Sequence, residues 1–316
     1  MGYKVLAAFL PVLLFHCSVT ADDECPCVHR EADPLFPGNE GMRWDCEYVN
    51  GGLVEVPTAC WDLEPNVTQV FLDYNNIAHI DASSFKGLTH LQVLSLAHNN
   101  IADTKEGAFS DLTSLKFLDI SSNKILDPPA DMWNLAELTF LDLSDNQLTE
   151  VQHYNISNLV NLEVLDLHLN HLRQIPYHSL EPLSKLRKLH LYWNQFVVLP
   201  IIHENLELEE VLVNGNAVLD FPKDMFGTLT KPLTYHFVDN PAFDVHGAML
   251  LPLPDHSHIV MGNDVNIWVD DEAQATEILS KIWVVKDGLS QSIDISTLIR
   301  ICDLDSQGHA GRMPPC

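Results

Sequence analysis

The sequence predicts an α/β solenoid in which about eight short parallel strands stack into a horseshoe-shaped sheet with disulfide caps. Three observations predict it. Apolar residues and an asparagine recur in one register through the middle of the chain. Six cysteines cluster at the two ends of the expected mature chain, Cys25, Cys27, Cys46 and Cys60 at one and Cys302 and Cys316 at the other. The chain also opens on an apolar run of the kind that directs secretion.

The repeat is L-x-x-L-x-L-x-x-N-x-L. It runs Leu91, Leu94, Leu96, Asn99, Ile101, and again Leu115, Leu118, Ile120, Asn123, Ile125. Copies follow at Leu138 to Leu148, Leu162 to Leu172 and Leu186 to Phe196. A valine-softened copy precedes them at Val67 to Ile77, and another follows at Leu208 to Val218. A degenerate last copy keeps Tyr235, Phe237 and Asn240. The eight asparagines are spaced by 24, 24, 23, 24, 24, 22 and 24 residues.

The pattern has a physical reading. In L-x-L the two apolar side chains point to one side of a short strand, because strand side chains alternate. The asparagine turns the chain, and its amide supplies two donors and an acceptor to backbone groups that burial would leave unpaired. Ile80, Phe85, Leu88, Phe109, Leu112, Phe226 and Leu229 are expected to fill the core from the convex side. One repeat cannot bury its own apolar face, so neighbours stabilise each other and the two raw ends need caps.

The ends divide the chain. Residues 1–21 are expected to be a signal peptide, with Lys4 before the apolar Val5 to Phe15 and small or apolar Val19-Thr20-Ala21 at the cleavage site. Residues 22–64 form the N-terminal cysteine cap. Cys25 and Cys27 are too close to pair comfortably. That leaves Cys25–Cys46 with Cys27–Cys60, or the crossed alternative. Residues 65–243 carry the repeats, and 244–316 a C-terminal cap or accessory region closed by Cys302 and Cys316. Within it, helical spacing of apolar residues predicts a helix over Ala273 to Val285. Asn66 and Asn155 open glycosylation sequons. No later stretch is apolar enough to span a membrane, and the polar C-terminus lacks a lipid-anchor tail. The protein is therefore expected to be secreted and released.

With these motifs the chain resembles the extracellular leucine-rich-repeat family, in the form with an N-terminal cysteine cap seen in Slit, Toll-type receptors and small proteoglycans. The resemblance covers about residues 25–243. It implies a ligand-binding role in innate immunity, adhesion or extracellular signalling. The C-terminal part departs from the family pattern, which places C-x-C after the last asparagine. Here Asn240 is followed by Pro241-Ala242-Phe243-Asp244.

Charge narrows the partners. The chain has 44 acidic and 17 basic side chains, a formal net charge of -27. Such a surface repels nucleic-acid backbones and anionic membranes and favours basic partners. The expected ligand is a protein or glycan on the concave face, where positions three, five and seven of each repeat point. Val93, Phe117, Phe140 and Val164 form an apolar row there. Asp119, Asp142 and Asp166 form an acidic row beside it. Arg187, Lys188, His190, Tyr192 and Trp193 lie across the fifth repeat, with His168 next to them. Exposed aromatics beside charges are the material of binding hot spots. The aspartates also have a bland reading, as part of the repeat pattern itself.

Asp166, His168 and His190 share a face, and Asp255, His256 and His258 share a loop, but neither set has metal-ligand spacing, so no metal is expected. No catalytic fingerprint occurs, neither His-Glu-x-x-His, nor Gly-x-Ser-x-Gly, nor a phosphate or dinucleotide loop. An enzyme and a cofactor are not expected. The alternative to a binding protein is a non-catalytic scaffold subunit of a secreted enzyme or heterodimeric complex, with the irregular C-terminal region docking a homo- or heterodimer partner.

Overall fold

Each L-x-L becomes a three-residue strand in the computed structural model. The structure describes residues 25–286 and 299–301, apart from 38–40, 47–51, 64–65, 152–155, 177, 203–204, 220–224, 227–228, 242–243, 248–249, 262–265 and 270–271. The repeat strands are β3 (Gln69–Phe71), β5 (Val93–Ser95), β7 (Phe117–Asp119), β8 (Phe140–Asp142), β9 (Val164–Asp166), β10 (Lys188–His190), β11 (Glu210–Leu212) and β12 (Thr234–His236). They pair in parallel without slippage, so equivalent repeat positions lie side by side, as in Leu118 with Leu141 and Leu141 with Leu165. Between β3 and β5 the chain forms the short convex strand β4 (His79–Ile80), which pairs with β6 (Asp103–Thr104) in the following turn.

The register explains the core. Leu118, Leu141, Leu165 and Leu189 are fully buried on one side of the sheet, together with Phe85, Leu88, Phe109 and Leu112 from the convex side. The asparagines close each turn as a ladder. Asn170 Nδ2 donates to the carbonyls of Leu143, Leu167 and His168, and its Oδ1 accepts from the backbone of Leu148. Each amide therefore bonds its own turn and the preceding one. This pattern repeats from Asn75 to Asn240. Without it the turn would bury unpaired carbonyls.

The N-terminal cap extends the same sheet. Strand β1 (Val28–Glu31) pairs antiparallel with β2 (Met42–Asp45), and β2 joins β3 in parallel. The disulfides take the crossed alternative, Cys25–Cys60 and Cys27–Cys46. Cys60 lies in the short helix α1 (Ala59–Leu63), where Trp61 donates its indole hydrogen to the carbonyl of Ser84.

The parallel sheet also runs on past Asn240. Strand β13 (Asp244–His246) is followed by β14 (Ser257–Met261), which adds to β12. Then come β15 (Asn266–Val269), helix α2 (Glu272–Lys281), β16 (Ile282–Lys286) and β17 (Ile299–Ile301). Strand β16 adds to β14, making twelve strands among the described residues, while β13, β15 and β17 form a second parallel sheet. The expected helix over Ala273 to Val285 is thus shorter, ending at Lys281. Ile282-Trp283-Val284-Val285 is β-branched and aromatic, and β14 offers it an open edge. The segment 1–21, Asn155, Cys302 and Cys316 lie outside the described residues.

Candidate ligand-binding face

The first two repeats do not present the open surface that their sequence positions suggest. Val93 is fully buried, and Phe71, Ser95 and Ala97 are nearly so. The cause is the cap. Residues Asp33 to Pro37 fold over the sheet and are pinned by Gln69. Its Oε1 accepts from the backbone of Asp33, and its Nε2 donates to the carbonyls of Asp33 and Pro37. Phe36 packs edge-on to Phe71 on β3 and Phe117 on β7, bridging the intervening β5. Arg43 ties the segment down through Asp33 and Asp45, and lies over the Phe71 ring. Val93 therefore leaves the expected apolar row. Phe36 joins it, because Phe117 stacks on Phe140 with ring centroids 4.3 Å apart.

From β7 to β11 the face is open and polar groups are shared between strands. Asp119 and Asp142 each accept a hydrogen bond from the backbone two residues on, at Ser121 and Ser144. Asp166 does the same with His168, whose Nδ1 also meets Asp166 Oδ1 at 2.6 Å. The second oxygen of Asp166 faces His190 Nδ1 at 2.9 Å, and His190 Nε2 faces Glu210 at 2.8 Å. With a carboxylate against both ring nitrogens, the charged form of His190, which donates twice, is favoured. Burial opposes that charge, but the bonds to Asp166 and Glu210 outweigh it and raise the His190 pKa.

The acidic row divides. Burial pushes Asp142 up to about 7, and Asp119 and Asp166 on the flanking strands add to the shift. Burial also raises Asp119. Burial would raise Asp166 too, but hydrogen bonds from His168 and His190 hold it at about 2. Three carboxyls across adjacent strands thus avoid three full charges. Burial favours the protonated form of Asp142, while the hydrogen bonds from His168 and His190 favour the charged form of Asp166. Tyr192 closes this patch, its ring stacked on His168 at 4.2 Å. Burial, then the charges of Asp166 and Asp142, push its hydroxyl up to about 12.

A second row borders this face. The residue before each repeat asparagine adopts a left-handed backbone: Tyr74, His98, Ser122, Asp145, Leu169, Trp193, Gly215 and Asp239. Its N–H donates to the next repeat, as in Trp193 to the carbonyl of Asn214. Such a conformation costs a bulky residue about 1–2 kcal/mol. Trp193 therefore sits on the rim, not on the strand beside Tyr192.

The sequence between 65–125 and 130–196 matches the family model for the leucine-rich repeat. Together with the asparagine ladder and the paired cysteines, that decides the family. This chain is a leucine-rich-repeat protein with an N-terminal cysteine cap. Its fold is similar to TLR13 solved in complex with ssRNA13, with 22% identity, a TM-score of 0.62, and coverage of 75% of this chain and 34% of that one. A leucine-rich-repeat protein of Leptospira interrogans matches at 23% identity and a TM-score of 0.56, over 74% of this chain and 63% of that one. The functional domain of InlJ from Listeria monocytogenes, which includes a cysteine ladder, matches at 18% and 0.55, over 84% and 60%. The chain spans less than two thirds of the length of each, and at these identities the likeness is one of fold. No curated protein matches the sequence.

The leucine-rich-repeat geometry gathers Phe117, Phe140, Val164, Asp119, Asp142, Asp166, His168, Lys188, His190 and Tyr192 on one face, through the strand pairing of β7 to β10. Arg187 precedes β10 and is paired with Glu209 and Glu163 instead. Asp166 takes its two histidines on separate oxygens, so the three side chains bond each other rather than converge on a common point. The group of possible metal ligands among the described residues is Cys25, Cys27 and Cys60, whose sulfurs are in disulfides. Asp255 and His256 are exposed before β14, while His258 is exposed on that strand instead of in a loop, and Ser257, its first residue, is buried. Asn66 is exposed. No helix of the described residues is long and apolar enough to cross a membrane. The sequence missed Phe36, and it placed Gln69 and Glu210 at third positions of the concave face without showing their partners. Phe36 and Gln69 act across the cap, and Glu210 belongs to the site only through the neighbouring strand.

Proposed function

We propose that this leucine-rich-repeat protein is secreted and recognises a protein or glycan ligand on the concave face of β7 to β11. One observation carries the reading. The Tyr192–His168 stack stands on the Asp166–His190–Glu210 chain, on strands past the cap, and the row of Phe36, Phe117 and Phe140 borders it. A surface that combines half-exposed rings with positioned charges is suited to recognition. Two disulfides and the expected signal at residues 1–21 support an extracellular setting. Innate immunity, adhesion and extracellular signalling are the roles that the resemblance to extracellular leucine-rich-repeat proteins suggests. The net charge of -27 argues against a nucleic-acid ligand and for a basic one.

The test is binding to a glycan array and to a panel of purified secreted proteins of graded charge. Wild-type protein is expected to select a ligand that Tyr192→Ser weakens by at least about tenfold, the loss typical of a hot-spot aromatic. Unchanged binding by a Tyr192→Ser protein that keeps its thermal midpoint overturns the reading.

A further inference from the structure

We propose that the rim at Leu169 and Trp193 is a second docking surface, built for a basic polypeptide segment. It does not depend on what binds the concave face. Leu169 and Trp193 are 45% and 52% exposed on adjacent turns. Both hold a left-handed backbone, with φ of 51° and 55°, a region that glycine, asparagine or aspartate occupies with less strain. They add little to the core and sit where bulk is disfavoured. Large apolar side chains kept in such a place gain stability chiefly when something covers them.

The tryptophan is also held in place. A Cβ on Gly215 would come within 2.5 Å of Trp193 Cε3 and 2.7 Å of its Cδ2. The indole therefore lies over the glycine of the next turn, which itself takes φ 62°. The N–H of Trp193 is fixed to the carbonyl of Asn214 at 2.8 Å, and that of Leu169 to the carbonyl of Tyr192 at 3.0 Å. The anchor is thus ordered before any partner arrives, which lowers the entropy lost on binding.

Charge selects the partner. Along the rim the apolar pair is bracketed by Asp145 and Asp239, both exposed. Each lies one or two strand spacings, roughly 5–10 Å, from the pair. Arg187 and Lys231, before β10 and β12 and so at the other end of the strands, are engaged with Glu163, Glu207 and Glu209, and Arg173, past Leu169, bonds Gln195. Two exposed rim aspartates, on a chain with 44 acidic and 17 basic side chains, favour a cationic partner. An arginine or lysine can lie on the indole face while a neighbouring basic residue meets Asp239 or Asp145. A neutral glycan fits less well. The imidazoles beside the rim already direct ring nitrogens to Asp166 and Glu210, so they offer few donors to sugar hydroxyls.

The experiment measures binding of oligo-arginine and oligo-lysine peptides to the full chain, with chitohexaose and an oligo-glutamate peptide as comparisons. A protein this acidic attracts polycations everywhere, so the variants decide. Trp193→Ala is expected to weaken oligo-arginine binding about tenfold. Asp239→Asn is expected to weaken it about threefold and to flatten its salt dependence. Gly215→Ala, which displaces the indole, is expected to match Trp193→Ala. Tyr74→Ala, at the far end of the same rim, should leave it unchanged. Circular dichroism and thermal midpoints check that each variant folds. Equal binding by wild type and a folded Trp193→Ala overturns the proposal, as does chitohexaose binding that Trp193→Ala abolishes. Loss in Tyr192→Ser but not in Trp193→Ala overturns it as well, while leaving the concave-face reading standing.

Discussion

Asp142 shows how one carboxyl reports its surroundings. Its pKa of about 7 lies above the 3.8 of an unperturbed aspartate, so the fold prefers its protonated form. The unfolded chain loses that proton near 3.8, and stability from this group falls as pH rises from about 4 to 7. Asp166 has the opposite sign. Held at about 2, it stabilises above 3.8, and the contribution disappears as pH falls towards 2. His190, raised above 6.5, stabilises fully below that value and loses its contribution as pH climbs through its folded pKa. The network is therefore tightest in mild acid, at about pH 4–6. Asp142→Asn should remove the unfavourable charge. At pH 7.5 it is expected to stabilise the fold by roughly 1–2 kcal/mol, after allowance for solvent screening. At pH 4.5 the two proteins should melt together. A variant less stable than wild type at pH 7.5 would contradict the raised pKa.

At the scale of elements, the cap does more than seal an end. The Asp33–Pro37 segment removes the first two repeats from the open face and lends Phe36 to the aromatic row. Nothing in the L-x-L pattern announces this, because Phe36 lies outside every repeat. Phe36→Ala should uncover Val93 and Phe117. A chain with that change is expected to bind more of a hydrophobic dye and to be cut faster by protease between residues 33 and 37, while far-ultraviolet circular dichroism stays the same. Identical dye binding and cleavage would show that the ring does not cover the sheet. The shortened helix α2 carries a related lesson. Apolar residues at helical spacing continued to Val285, but a β-branched run beside an open strand edge went to the sheet. Periodicity could not decide, since tertiary pairing outweighs local spacing.

Over the whole molecule, stability is a sum along the stack. Buried residues form one continuous core from Trp44 in the cap to Ile278 in α2. A defect at the centre weakens interfaces on both sides. Leu141→Ala, in β8, is expected to lower stability by about 2–5 kcal/mol in urea unfolding. The same change at Leu53, partly buried at the cap, should cost less than half as much. Equal losses would argue that the turns do not share one core.

The repeat register was legible in the chain because its cause is local. An L-x-L strand must put its leucines on one side, and a buried turn needs an asparagine to satisfy its carbonyls. Eight copies of that chemistry determined the solenoid, its core and which residues point to its concave side. The cysteine pairing was not legible, since the spacing allowed two arrangements and only the cap's path chose Cys25–Cys60 with Cys27–Cys46. Nor were the covering of Val93, the raised pKa of Asp142, or the seating of Trp193 over Gly215. Each depends on what a neighbouring turn places within a few ångströms, and solvent exposure and charge are set by those distances rather than by the residue alone. The sequence by itself determined the scaffold and its acidity. The tertiary structure decided which part of the scaffold remains open to a ligand.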